Sequence, residues 1–398
     1  MIRLQVINYF YLALAILWEP IQRGILGIDS QGRIIFLITI LVFFANIKFD
    51  NRFLKSDVLS KPALFWGLWV IYSALNLGFN GFYMEIDFIY FFVLILFSPF
   101  VVMTIAAKET TRNPEKIFKL FTIVFTIFTV LSVTILGGVH EVHENRLSGE
   151  MGNAGPLNAI YVIFFAGLLL VHKKLKWRTF TPLIVFAVSV IAMAGTRKAF
   201  GAAIIIFLTI ALSQIKFSAK NIVATLILLV SFYFGVNYAL ENTSLIERFE
   251  IGMEVGNEMN STSIETLGVL GDRTENYIKG WEIFKENPIT GIGLKNYVYK
   301  NHGPLVIHSE YIVQLAESGI IGSILFFLFY FWIGKNLIHL WRKNPLQSRA
   351  ALWVLAGGFG AILFINFTAW TYEFKQYFAA FGVMIGYIKY LKNNDSNT

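Results

Sequence analysis

The sequence predicts an all-α, polytopic membrane protein with about twelve transmembrane helices and one long extracytoplasmic loop containing short helices. Three observations predict it. Hydrophobic residues make up 56% of the 398 residues and charged residues only 15%, against about 25% charged in soluble domains. The apolar residues form long runs, most of them near the roughly 20 residues that a spanning helix needs. Lys and Arg cluster between alternate runs, as they do in cytoplasmic loops. Runs so uniformly apolar exclude a transmembrane barrel, whose strands alternate between lipid and lumen.

The elements follow in order. Leu4–Trp18 comes first; its surroundings, MIRLQVINYFYLALAILWEP, hold no small-x-small cleavage site, so it reads as a helix and not a removed signal. Next come Ile34–Ile47, Pro62–Phe79, Phe88–Ala107, Ile117–Leu136, Pro156–Val171, Phe180–Ala194, Ala199–Gln214 and Ile222–Leu240. After a polar interval come Ile312–Ile333, Ala351–Trp370 and Phe374–Tyr390. A cytoplasmic N-terminus puts the clusters Lys48 to Lys61, Lys108 to Lys119, Lys173 to Arg178 and Lys335 to Arg349 inside. The even number of spans returns the C-terminus to the same side. Residues 1–240 then hold nine helices, 241–310 the outer loop, and 311–398 the last three helices.

Composition also excludes. The net charge of +8 is spread in short clusters beside apolar runs and not along one face, which argues against nucleic acid. The chain has no cysteine, so thiolate catalysis, disulfides and cysteine metal sites are out.

The interval from 241 to 310 is polar. Its second half predicts a helix: Asp272 with Glu275 forms a capping box, and Tyr277, Trp281 and Phe284 follow at helical spacing. Asn287-Pro288 ends it. Its aromatics are expected on one face, with the helix lying at the membrane surface.

Several residues on the outer side could carry chemistry. Arg197 and Lys198 sit in AGTRKAFG, a turn between apolar runs; they either snorkel as anchors or serve as functional cations. Arg273 opens the amphipathic helix and is either a surface charge or a phosphate fork. His308 stands where the loop re-enters the membrane, as a helix cap or as a proton acceptor. Glu310, Gln314 and Glu317 continue from it as a polar stripe on an apolar helix, a pattern that tends to face a cavity. His140 and His143 form an H-x-x-H pair without a third placed ligand, too little for a metal site. Gly291-x-Gly293 follows no strand, which argues against a dinucleotide site.

Taken together, RTENYIKGWEIFKENPITGIGLKNY and HSEYIVQLAESGIIGSILFF resemble the signature of the O-antigen ligase and polymerase family. The matching residues are Arg273, Trp281, Asn287-Pro288, Gly291, Gly293, His308-Ser309, Glu317, Gly319 and Gly322. AGTRKAF resembles the family's Ser/Thr-Arg turn at Arg197, and RLSGEMGNAGPLNA its earlier outer loop from Arg146 to Asn158. The likeness runs in ordered pieces from Arg146 to Ser323. Ser309 replaces the commoner Asn, and GNAGPLNA departs from the usual Asn-Pro-Asn.

The resemblance implies a glycosyltransferase of the bacterial inner membrane, with both termini cytoplasmic and no metal or cofactor. It would move a glycan from undecaprenyl pyrophosphate to an acceptor hydroxyl outside. By resemblance His308 is the general base, and Arg197 and Arg273 hold the pyrophosphate, with Lys198 assisting. Arg146, Glu310, Glu317 and Trp281 would support the substrate groove. The expected partners are the lipid-linked glycan, an acceptor glycan, membrane lipid and a chain-length regulator, but no nucleic acid. A repeat-unit polymerase is the first expectation, because capsule, exopolysaccharide and O-antigen all need one. A ligase that delivers glycan to lipid A–core is the alternative, and a lipid-linked sugar flippase is a third.

Overall fold

A computed structural model describes residues 2–22, 33–50, 57–81, 96–134, 154–194, 196–214, 271–298, 307–343, 346–369, 371–372 and 374–395. The expected span Ile222–Leu240, the loop from 241 to 270, His140, His143 and Arg146 lie outside these residues.

The described chain is all helical. Its helices are α1 (Ile2–Pro20), α2 (Arg33–Phe49), α3 (Asp57–Asn80), α4 (Ser98–Arg112), α5 (Pro114–Thr134), α6 (Ala154–Val171), α7 (Trp177–Met193), α8 (Arg197–Gln214), α9 (Gly271–Glu286), α10 (Glu310–Lys343), α11 (Leu346–Ile365) and α12 (Lys375–Asp395). Among the described residues, Pro114–Thr134 and Glu310–Lys343 are long and apolar enough to cross a membrane, and six further apolar helices are shorter. The fourth expected span began at Phe88; the helix described there runs Ser98–Arg112 and carries Lys108 and Glu109 into its last turns. Pro114 then opens α5.

Two physical features mark this as a bundle for lipid. First, α3 is apolar on both faces. Trp66, Trp69 and Leu77 are buried, while Leu64, Leu68, Ile71, Leu75 and Phe79 form an exposed stripe at helical spacing. A helix apolar all round suits lipid and not water. Second, helices meet through small residues, as membrane helices do. A Cβ on Gly382 or Gly386 of α12 would lie 2.4 or 2.3 Å from the carbonyl oxygens of Met103 and Ala107 on α4. α8 and α11 run antiparallel: Gly201 meets Phe364, Ile205 approaches Gly360, and Thr209 meets Gly357.

Polar groups between helices are tied to one another. Asn8 of α1 donates to Glu109 of α4 at 2.7 Å and Asn46 of α2 donates back to Asn8 at 2.8 Å. Lys108 closes this cluster on Asp50 at 2.7 Å. It sits at the end of α4 expected to face the cytoplasm. A second polar system occupies the opposite end and belongs to the candidate site.

Candidate functional site

The site is built around a broken helix. Gly319 interrupts α10 with φ 62° and ψ −168°, a conformation open essentially to glycine alone. The break leaves carbonyls of the first segment and amides of the second without helical partners. The chain after α9 supplies them. Ile292 and Gly293 donate to Ala316 O and Glu317 O at 3.1 and 2.8 Å, while Ile320 and Ile321 donate to Pro288 O and Ile289 O at 2.8 and 3.3 Å. From α3, Tyr72 donates to Ser318 O at 2.9 Å and Asn76 to Glu317 O at 3.2 Å. Both side chains also donate to Thr290 O.

This contact explains the spacing of the two glycine motifs. A Cβ on Gly291 would lie 2.4 Å from the Glu317 carbonyl carbon, and one on Gly319 would lie 2.4 Å from Ile289 O. The backbones are pressed together with room for hydrogen alone. Gly322 makes room for the Tyr72 ring, 2.6 Å from its would-be Cβ. The sequence placed the start of a single span at Ile312. The structure instead has one segment before Gly319 and a second from Ile320, roughly 36 Å long and enough for the bilayer core.

Helix α9 is seated on α10. Asn276 and Ile283 are buried, and a Cβ on Gly280 would meet Ile312 and Ile307 at 2.6 and 2.7 Å. Its aromatics, spaced i, i+4 and i+7, share one side of the helix, but that side flanks the buried seat and its rings meet different surroundings. Tyr277 turns inward, and its hydroxyl donates to His308 O at 3.1 Å and Phe367 O at 3.3 Å. Trp281 is 46% exposed beside Ile278, with its ring 5.1 Å from Phe284. Small and branched residues win the seat because α9 approaches too closely for a large ring at Gly280.

His308 is half-buried and stands two residues before α10. Behind it Glu310 is fully buried. Glu310 N donates to Asn366 O at 2.8 Å. The Glu310 carboxylate accepts Thr371 N, Thr371 Oγ1 at 3.2 Å and Tyr372 N at 3.3 Å. Its other oxygen accepts Gln314 Nε2 at 2.9 Å, and Gln314 accepts the Trp69 indole at 3.1 Å. The polar stripe of Glu310, Gln314 and Glu317 is thus buried in the bundle, with the Glu310 carboxylate engaged by the chain between α11 and α12. Lys295 holds a left-handed φ of 66° and places Nζ 5.7 Å from the centre of the Tyr372 ring.

The segment after α11 is therefore a hub. Tyr277 brings α9 to Phe367, Glu310 brings α10 to Asn366 and Thr371, and the antiparallel contact of Gly201 with Phe364 brings the first turns of α8 to the same end. Arg197 opens α8, and Arg273 lies in the first turn of α9, one turn before Tyr277. Their side chains lie outside the described atoms; Lys198 is half-buried. Tyr72, Asn76, Thr371 and Lys295 had escaped the sequence reading, and Tyr277 had been read only as a surface aromatic. Asn76, polar within the apolar run YSALNLGFN, carried a readable signal; the others did not.

Residues 182–327 match the family model described as O-antigen ligase. The chain carries an O-antigen ligase family domain. That domain takes in α8, α9, the Gly291–Gly293 turn and the break at Gly319, so the family's span includes both sides of the backbone contact just described. It also includes Arg197, Arg273 and His308. The comparison with curated proteins returns no match.

Proposed function

We propose that the protein is a membrane glycosyltransferase that moves a glycan from undecaprenyl pyrophosphate to an acceptor hydroxyl outside the inner membrane. The observation that carries this reading is the meeting of three helix beginnings from the O-antigen ligase domain, those of α8, α9 and α10, at one hub formed by the chain after α11. Helix N-termini carry partial positive charge and receive phosphate groups. Arg197 and Arg273, aided by Lys198, are assigned to the pyrophosphate. Their charge would stabilise the leaving group as negative charge grows on it.

In the proposed step the acceptor oxygen attacks the anomeric carbon and its proton passes to His308. The bond from that carbon to the phosphate oxygen breaks, undecaprenyl pyrophosphate leaves, and the anomeric centre inverts. No metal or cofactor is assigned a part. The proposal keeps about twelve spans, the division at 240 and 310, cytoplasmic termini and groove-side roles for Arg146 and Trp281.

The description of the matched family favours a ligase acting on lipid A–core over the repeat-unit polymerase expected first. A deletion strain separates them. Long chains stranded on the undecaprenyl carrier indicate a ligase, and single repeats capping the core indicate a polymerase. Purified protein that transfers nothing from lipid-linked glycan would remove the enzymatic reading and leave a transporter. Arg273→Lys is expected to lower transfer by at least about tenfold, since an ammonium lacks the paired donors of a guanidinium. Undiminished transfer by this variant would return Arg273 to the role of a surface charge.

A further inference from the structure

The Glu310 carboxylate sits two residues from the proposed base, yet the proposed mechanism gives it no task. It is fully buried and its oxygens accept from Thr371 N, Thr371 Oγ1, Tyr372 N and Gln314 Nε2. A carboxylate so occupied has its acceptor positions committed to protein donors. Buried charge is expensive unless hydrogen-bonded, so this arrangement fixes the groups that satisfy it.

We propose that Glu310 is a positioning residue for His308, a clip that ties the chain between α11 and α12 to the first turn of α10. The inference rests on the assignment of His308 as base. The tie closes a ring. His308 O is held by the Tyr277 hydroxyl, the same hydroxyl reaches Phe367 O, and the neighbouring Asn366 O is held by Glu310 N and by Ser309 Oγ at 3.4 Å. The Thr371 contacts shut the ring from the other side, and Tyr330 lies 3.2 Å from Thr371 Oγ1 to hold that hydroxyl in turn. The ring also joins α9, which carries Arg273, to the backbone that carries His308. Glu310 thereby sets where the imidazole stands relative to the proposed pyrophosphate site without touching substrate.

A positioning role and a direct role differ in what charge must do. Gln at 310 keeps one acceptor for the Thr371 amide if the Gln314 amide turns over and gives up its bond from the Trp69 indole, whereas Ala keeps none. The test uses full-length protein in lipid nanodiscs, with undecaprenyl-pyrophosphate-linked glycan as donor and lipid A–core as acceptor. Glu310→Ala is expected to lower kcat at least tenfold with KM for the donor within twofold, and Glu310→Gln to recover most of that loss. Thr371→Val, which removes one hydroxyl and keeps the backbone amide, is expected to lower kcat severalfold with the same KM. It decides the matter if Glu310→Ala does not fold. Hydrogen exchange over residues 366–372 is expected to quicken in the folded variants.

Glu310→Gln as inactive as Glu310→Ala would overturn the clip in favour of a need for the charge itself. Wild-type kcat in Glu310→Ala, or in Thr371→Val, overturns it as well. If wild-type protein and His308→Ala transfer equally, or neither transfers, the functional reading falls by itself. Exchange at 366–372 then still reports whether Glu310 holds the segment, and unchanged exchange overturns the clip independently.

Discussion

His308→Ala is expected to abolish glycan transfer, a loss of about 10²- to 10⁴-fold, the usual contribution of a positioned acid or base. The structure makes this substitution a clean one. The Tyr277 hydroxyl donates to the backbone carbonyl of His308, so Ala keeps the hydrogen bond that ties α9 to the start of α10. The residue is half-buried and precedes the helix, outside its hydrogen-bonded turns. The variant should therefore insert and purify like the parent while transfer from lipid-linked glycan is lost. The measurement is product formation by equal amounts of monodisperse protein. Parental rates would remove the imidazole from the mechanism.

Gly319→Ala is expected to destabilise the protein strongly for a change of one methyl group. A non-glycine residue in this backbone conformation costs on the order of 1–3 kcal/mol. The added Cβ would also lie 2.4 Å from Ile289 O, a backbone atom with no rotamer to yield. The two strands of the contact must separate, and the hydrogen bonds that repair the broken helix go with them. Buried groups left without partners cost about 1–3 kcal/mol each. Thermal unfolding of the purified variant should begin at a clearly lower temperature, and transfer should fall because α9 loses its seat. Gly360→Ala is the control. Its Cβ would meet only Ile205 at 3.5 Å, an ordinary contact, and in a helix interior Ala is favoured over Gly by about 1 kcal/mol. Equal melting of the two variants would show that the contact at Gly319 carries no unusual strain.

Much of the helical layout was legible because hydrophobic runs announce themselves. Leu4–Trp18 and Pro156–Val171 lie within α1 and α6 to within two residues at either end. The helix after Asp272 was legible through its capping residues and its Asn-Pro stop. What was not legible is what depends on pairing between distant segments. Gly291 and Gly319 could be read as motif positions, but nothing local says that each exists to admit the other's backbone. Glu310 and Glu317 looked like a stripe lining a cavity, because a polar stripe on an apolar helix gives the same pattern whether it faces water or protein. Burial of both comes from α3 and the chain after α11, which lie far away in sequence. Tyr277 was read only as one of three aromatics at the membrane surface. Its inward turn follows from the close approach at Gly280, which only the packed structure reveals.

The mended break at Gly319 has a mechanical consequence. In lipid, a helix cannot leave its amides and carbonyls open, so the part of α10 beyond the break and the turn after α9 share one set of bonds. Tilting that helix would tear its upper end from the turn, and lifting α9 would tug on the helix beneath. Surface element and membrane element move as one lever, hinged where two glycines touch. Any load placed on α9 is therefore passed along the length of α10.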